Sequence, residues 1–149
     1  MKKSIVVSLL AMFLLTGCIS GLAVSEDVKD PAVKVEDIEI KDWADVASEP
    51  GNEILDYAIV NNSKYTITYF YAEGNTSNGT EGFDLLVDET LLPGERSTNQ
   101  TTPGVNNMDK VKLTAYNYTY IDKEDDKYVH VQYDAKLDKY EALKNDDEN

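Results

Sequence analysis

Beyond residue 34 the chain alternates apolar and polar side chains with a period of two, the pattern of half-buried strands. Val35 to Trp43 puts Ile38 and Ile40 on one side, and Ile54 to Asn61 follows the breaker Glu49-Pro50-Gly51-Asn52. After the turn Asn61-Asn62-Ser63, the run Lys64 to Ala72 is rich in the β-branched and aromatic residues that fit a pleated surface. Asn75 to Gly82 holds two glycines among small polar residues and reads as a loop. Phe83 to Val87 is a short strand, Leu92-Pro93-Gly94-Glu95 a turn, and Ser97 to Thr101 an edge strand. Thr102 to Asp109 is a further loop. Val111 to Ile121 and Tyr128 to Tyr133 are the clearest strands, and Leu137 to Leu143 reads as a last strand or a short helix. About seven short strands with frequent turn signals, and no long segment of period 3.6, predict an antiparallel β-sandwich.

The first 34 residues follow different rules. Lys2 and Lys3 precede an apolar run from Ile5 to Leu15, shorter than the roughly 20 residues of a spanning helix. A charged start, an apolar stretch and small residues at a cleavage point make a secretory signal. The run Leu15-Thr16-Gly17-Cys18 resembles the lipobox of bacterial lipoproteins. That resemblance implies a diacylglycerol on the Cys18 thiol, cleavage just before it, and a membrane anchor facing outside the cytoplasm. Each buried acyl methylene adds about 0.8 kcal/mol, so two or three chains hold firmly. The expected organisation is a signal peptide over residues 1–17, a lipidated tether over 18–33, the sandwich over 34–143 and an acidic disordered tail over 144–149.

Charge and cysteine usage narrow the chemistry. Without Lys2 and Lys3 the chain keeps 12 basic residues against 28 acidic ones, a formal charge of −16. That balance opposes nucleic acid and anionic lipid surfaces. Cys18 is the only cysteine, so its lipidation leaves no disulfide, thiol nucleophile or thiolate metal site. The fold must be held by its core.

The order Asp56-Tyr57-Ala58-Ile59-Val60-Asn61-Asn62-Ser63, then Tyr65-Thr66-Ile67-Thr68-Tyr69-Phe70-Tyr71, then Leu91-Leu92-Pro93-Gly94-Glu95 resembles the immunoglobulin-like FxLYD-type modules of bacterial lipoproteins. The likeness covers roughly Ile54 to Tyr120, although the Asn75 to Gly82 segment is long and no FxLYD string occurs. It implies an immunoglobulin-like fold and an extracytoplasmic address, and no reaction.

Catalytic signatures are sparse. His130 is the only histidine, and no Gly-x-Ser-x-Gly elbow or Gly-x-x-x-x-Gly-Lys phosphate loop occurs. Asp122, Glu124, Asp125 and Asp126 cluster in one turn but lack the EF-hand spacing, and read as a solvated hairpin turn rather than a calcium site. Asn61, Asn75, Asn78, Asn99 and Asn117 each begin an Asn-x-Ser/Thr triplet, which in a bacterial chain reads as turn and strand composition. No metal or other cofactor is implied.

The aromatic pattern offers a candidate surface. If the odd positions from Val111 to Ile121 and from Val129 to Tyr133 face the core, a hairpin centred near Glu124 sets Tyr120 beside Tyr128 and Tyr118 beside His130. Tyr116, Tyr118, Tyr120, Tyr128 and His130 would then form an outward recognition strip for a sugar or an envelope protein. Alternatively, another segment covers the strip, a bulge turns it into the core, or it is cross-strand pairing on a solvated sheet. The expected function is a lipid-anchored, non-catalytic binding module. An accessory structural role in an envelope complex is the runner-up, and a small carboxylate-based hydrolase the third reading.

Overall fold

The computed structural model describes residues 25–42, 54–76, 79–103 and 111–146, and within them the chain is almost wholly β. Nine strands are present among the described residues: β1 (Glu26–Asp27), β2 (Ile38–Asp42), β3 (Ile54–Asn61), β4 (Thr66–Thr76), β5 (Gly79–Leu86), β6 (Gln100–Pro103), β7 (Lys112–Ile121), β8 (Tyr128–Asp134) and β9 (Lys139–Asn145). They form a six-stranded sheet in the order β1-β9-β8-β7-β4-β5 and a three-stranded sheet in the order β2-β3-β6. Every neighbouring pair is antiparallel. The order β2-β3-β6 corresponds to strands A-B-E of an immunoglobulin-like sandwich, and β5-β4-β7-β8 to C′-C-F-G. β9 and the two-residue β1 extend the larger sheet beyond the expected seven strands.

Inside β4 the alternation is broken once and repaired. Ile67 and Phe70 are both fully buried although they stand three positions apart. Ile67 pairs with Tyr120 and Tyr69 with Thr119, so Thr68 is an extra residue in β4. This bulge returns both apolar side chains to the core face.

The β7–β8 register corrects the expected tyrosine strip. Tyr118 pairs with Val131, Tyr120 with Val129, and Ile121 with Tyr128, one residue away from the expected alignment. A one-residue slip exchanges the two faces of a strand. Tyr118 is therefore fully buried and Tyr120 only 2% exposed, with Val129 and Val131 beside them. The connecting turn carries the reason: Asp126 adopts the left-handed conformation (φ 57°), and its N–H donates to the Asp122 carbonyl.

What covers those tyrosines is the segment expected to be a tether. β1 pairs with β9, the Val28 N–H donates to the Ala142 carbonyl, and Pro31 and Val33 are buried. The Tyr118 hydroxyl donates to the Val33 carbonyl (2.7 Å), and the Tyr120 hydroxyl accepts the Ala32 N–H (3.0 Å). Residues 26–33 thus belong to the domain. They lie as a strap that completes the cover of the larger sheet, where the three-stranded sheet is too narrow to do so alone. Each buried ring contributes roughly 2–3 kcal/mol, provided its hydroxyl finds a partner.

Two other expectations change. Asn75 to Gly82 is not a loop: Asn75 pairs with Thr80 and Thr76 with Gly79, continuing the β4–β5 hairpin to its tip. Lys144 and Asn145 end β9 rather than opening a tail, and Leu137 to Leu143 joins turn to strand with no helix. Residues 147–149, and Cys18 with its signal, lie outside the described residues.

Candidate functional site

Each residue expected in the recognition strip has a definite place, and the five do not share a surface. Tyr118 and Tyr120 hold the strap. Tyr116 lies half-buried on the same inner face, in a row that crosses four strands. Ring centroids are 6.1 Å apart for Phe70–Tyr116, 6.0 Å for Tyr116–Tyr133 and 4.4 Å for Tyr133–Tyr140. The Lys34 ammonium caps this row, 4.5 Å from the Tyr140 centroid. The hydroxyls at its far end are occupied. Tyr133 donates to Asp138 (3.0 Å), and Tyr140 donates to Glu36 (3.2 Å) while accepting the Val35 N–H (3.2 Å). Burial, outweighing the Val35 N–H and aided by Glu36, pushes the Tyr140 phenol up to about 12. A row whose ring faces and outer hydroxyls are already used is architecture.

Tyr128 and His130 point the other way, onto the outer face of the large sheet. His130 Nδ1 lies 2.9 Å from the Thr119 hydroxyl and Nε2 lies 3.1 Å from Asn145 Oδ1. A hydroxyl, an imidazole and an orienting amide in line are the parts of a nucleophile–base pair. Thr119 is only 3% exposed, however, and the strands around it are paired through the ladder. That burial closes the Thr119 hydroxyl off from solvent. The lone-histidine reading of the sequence missed this triple because its members come from three strands.

The rest of the outer face is chemically unlike the inner one. Cross-strand register sets Asp84, Tyr71, Asn117, Gln132 and Glu141 in one line over β5, β4, β7, β8 and β9. Tyr69 stands one step along β4, 37% exposed. Among the described residues no intramolecular hydrogen bond uses the Asn117 or Gln132 amide, the Tyr69 hydroxyl or the Asp84 carboxylate. Beside Tyr69 and Asp84 an open cleft of about 350 Å³ runs to Thr90, and the buried Thr68 hydroxyl on its wall has no partner.

Gly82 shapes this face. A Cβ on Gly82 would lie 2.0 Å from the Tyr71 hydroxyl oxygen and 2.8 Å from Cζ. The hydroxyl end of the ring therefore reaches over the β5 backbone, and a Cβ at position 82 would displace it. Partial burial, then neighbouring carboxylates, raises the Tyr69 and Tyr71 phenol pKa values. Both hydroxyls are protonated donors at neutral pH. Burial and the nearby Asp88 hold the Asp84 carboxyl above the usual carboxylate range.

At the other end of the sheet, the acidic Asp122–Asp126 turn is tied down from within. The Lys144 ammonium lies 2.8 Å from both Asp122 and Asp125. Among the described residues no three His, Cys, Asp or Glu side chains are placed to hold a metal ion.

No protein-family model, curated protein or solved structure matches the chain.

Proposed function

We propose that the chain is a lipid-anchored, extracytoplasmic binding module of a bacterial cell envelope, acting without catalysis. The observation that carries this reading is the contrast between the two faces of the large sheet. Inside, tyrosine hydroxyls bind the strap and the carboxylates of Glu36 and Asp138. Outside, the Tyr69 hydroxyl, two amides and a carboxylate keep their hydrogen-bonding capacity for something else. Buried polar groups in proteins are usually satisfied, and exposed groups that converge on one face mark recognition. The one hydroxyl–imidazole pair is shielded, which supports binding rather than bond cleavage.

The anchor reading rests on Leu15-Thr16-Gly17-Cys18 and on the place where the fold begins. Only Ile19 to Ser25 separate Cys18 from β1, a reach of about 28 Å at full extension. β1 enters beside the Asp122–Lys127 turn, because Glu26 pairs with Lys144 and Lys144 with Val129. The tip of the β4–β5 hairpin lies at the opposite end of the sheet. An anchor at Cys18 would hold the acidic turn near the membrane and point that hairpin outward.

Labelled palmitate fed to cells expressing the full chain tests the anchor. Label on the protein in the membrane fraction, absent from Cys18→Ser, is expected. An unlabelled wild-type chain would overturn the reading.

A further inference from the structure

We propose that the outer face of the large sheet binds a neutral glycan chain, laid across β4, β7 and β8 with Tyr71 as its stacking platform. The proposal deepens the binding-module reading and rests on it. It comes from three observations on the same few residues.

The first is the attitude of Tyr71. With its hydroxyl end laid over the β5 backbone at Gly82, Tyr71 reaches from β4 across to β5 on the outer face. A flat, outward aromatic face is what the C–H face of a pyranose stacks on, and a phenol adds a hydroxyl at its edge. The inner tyrosines differ, because they stack on one another.

The second is the unspent hydrogen-bonding set. Asn117 is the cross-strand partner of Tyr71, and Gln132 is the partner of Asn117. Each amide offers donors and an acceptor at once, which matches the paired hydroxyls of a sugar. Asp84, the partner of Tyr71 on the other side, adds a carboxylate acceptor. Adjacent strands lie about 4.8 Å apart, close to the repeat of about 5 Å along a pyranose chain. One side chain per strand therefore meets roughly one sugar per step.

The third is charge. Glu73, Asp84 and Glu141 share this face, and Lys139 is engaged by Glu141 at 2.5 Å. The whole chain carries −14. Uronate or phosphate polymers would meet like charge at every step, whereas a neutral chain would not. A protein partner would call for a fully buried apolar centre, and the middle of this face is amide, phenol and carboxylate.

The test uses the full chain purified from membranes in a sugar-free detergent. Cellohexaose, maltohexaose and N-acetylchitohexaose are titrated by calorimetry, with oligogalacturonate as the anionic comparison. At least one neutral hexasaccharide is expected to bind. Tyr71→Ser should abolish that binding, and Asn117→Ala should weaken it about tenfold. Gly82→Ala is the sharper variant: it keeps every hydrogen-bonding group but lifts the Tyr71 ring, and should weaken binding at least tenfold. Tyr133→Ser, on the inner face, should bind as wild type does, and circular dichroism confirms that each variant folds. The proposal is overturned if none of the three binds, if oligogalacturonate binds equally, or if binding survives both Tyr71→Ser and Gly82→Ala. Palmitate labelling of the same preparations is read independently, so loss of the glycan reading and loss of the anchor reading are distinguishable. A protein crosslinked through Tyr71 without any sugar binding would also overturn it.

Discussion

Replacing Asn61 by aspartate changes one NH₂ group into an oxygen, and the structure turns that exchange into a pH-dependent loss of stability. Asn61 is fully buried at the end of β3. Its Nδ2 faces three carbonyls, those of Tyr65 (2.7 Å), Leu91 (3.0 Å) and Leu92 (3.2 Å). Its Oδ1 accepts the Ser63 N–H (3.0 Å) and the Ser63 hydroxyl (2.7 Å). Its backbone adds bonds to Glu95 and Gly94, closing the Leu92-Pro93-Gly94-Glu95 turn in which Gly94 takes φ 80°. One side chain thus ties the β3–β4 connection to the turn that leads into β6. In Asn61→Ala these side-chain bonds vanish, at about 1 kcal/mol each. The cost is limited because Leu91 keeps the Ile67 N–H and Tyr65 keeps the Ser63 hydroxyl. A loss of about 2–3 kcal/mol follows, or roughly 10 °C in Tm for a domain of this size. Asn61→Asp should be worse at neutral pH, by a further 1–2 kcal/mol or so, because a buried carboxylate would face three carbonyl oxygens. Only the protonated acid can donate to them, so the folded-state pKa of Asp at this position lies above its unfolded value of about 3.9. Such a group stabilises the fold below the unfolded pKa, and that contribution is lost as pH rises through the folded one. Urea unfolding of both variants at pH 7 and at pH 4.5 measures the difference, with the shared acid response of the domain cancelling. Asn61→Asp should be the less stable variant at pH 7 and should close the gap at pH 4.5. Equal stability at pH 7, or a gap that widens in acid, would refute the assignment of Asn61 as a buried donor.

The strap can be loosened without touching the core: Tyr118→Phe with Tyr120→Phe removes two hydroxyls and leaves both rings, costing about 2 kcal/mol. Hydrogen exchange should rise over residues 28–35 well before it rises in β7 and β8, whereas uniform acceleration would show that the hydroxyls do not hold the strap. Tyr57 donates to the Asp84 carbonyl (3.1 Å), and burial, with Asp84 second, pushes its phenol up to about 12 against an unfolded value of about 10. That contribution is complete below pH 10 and is lost as pH rises towards 12, so stability should fall between pH 9 and pH 11 less steeply in Tyr57→Phe than in wild type. Identical slopes in urea titrations at the two pH values would sink the idea.

The difference between what period-two alternation disclosed and what it hid comes down to parity. Alternation along Val111 to Ile121 and Tyr128 to Tyr133 establishes strands, and with the turn signals it leads to the sandwich; it does not say which of the two faces is inside. That choice rests on how many residues the turn consumes, and the β7–β8 turn gave no glycine to mark its left-handed residue, since Asp126 takes that position. Tyrosine adds to the ambiguity, because its hydroxyl reads as an outward group unless a buried partner is known. Here the partners, the Val33 carbonyl and the Ala32 N–H, come from 85 and 88 residues away. They belong to a stretch whose charges (Glu26, Asp27, Lys29 and Asp30) conceal the apolar Val28, Pro31 and Val33. The outer site was hidden for a related reason: Tyr71, Asn117 and Gln132 are adjacent only through register. One local signal for it did exist. A glycine inside a strand marks a close approach, and Gly82 precedes Phe83-Asp84-Leu85 at that position. Read as part of a loop, it explains nothing; read as a strand residue paired with Glu73, it demands a side chain lying over the backbone, and its diagonal neighbour Tyr71 supplies it. The same glycine is therefore evidence for the β4–β5 hairpin and for the platform the hairpin carries, which is why Gly82→Ala tests binding through geometry alone.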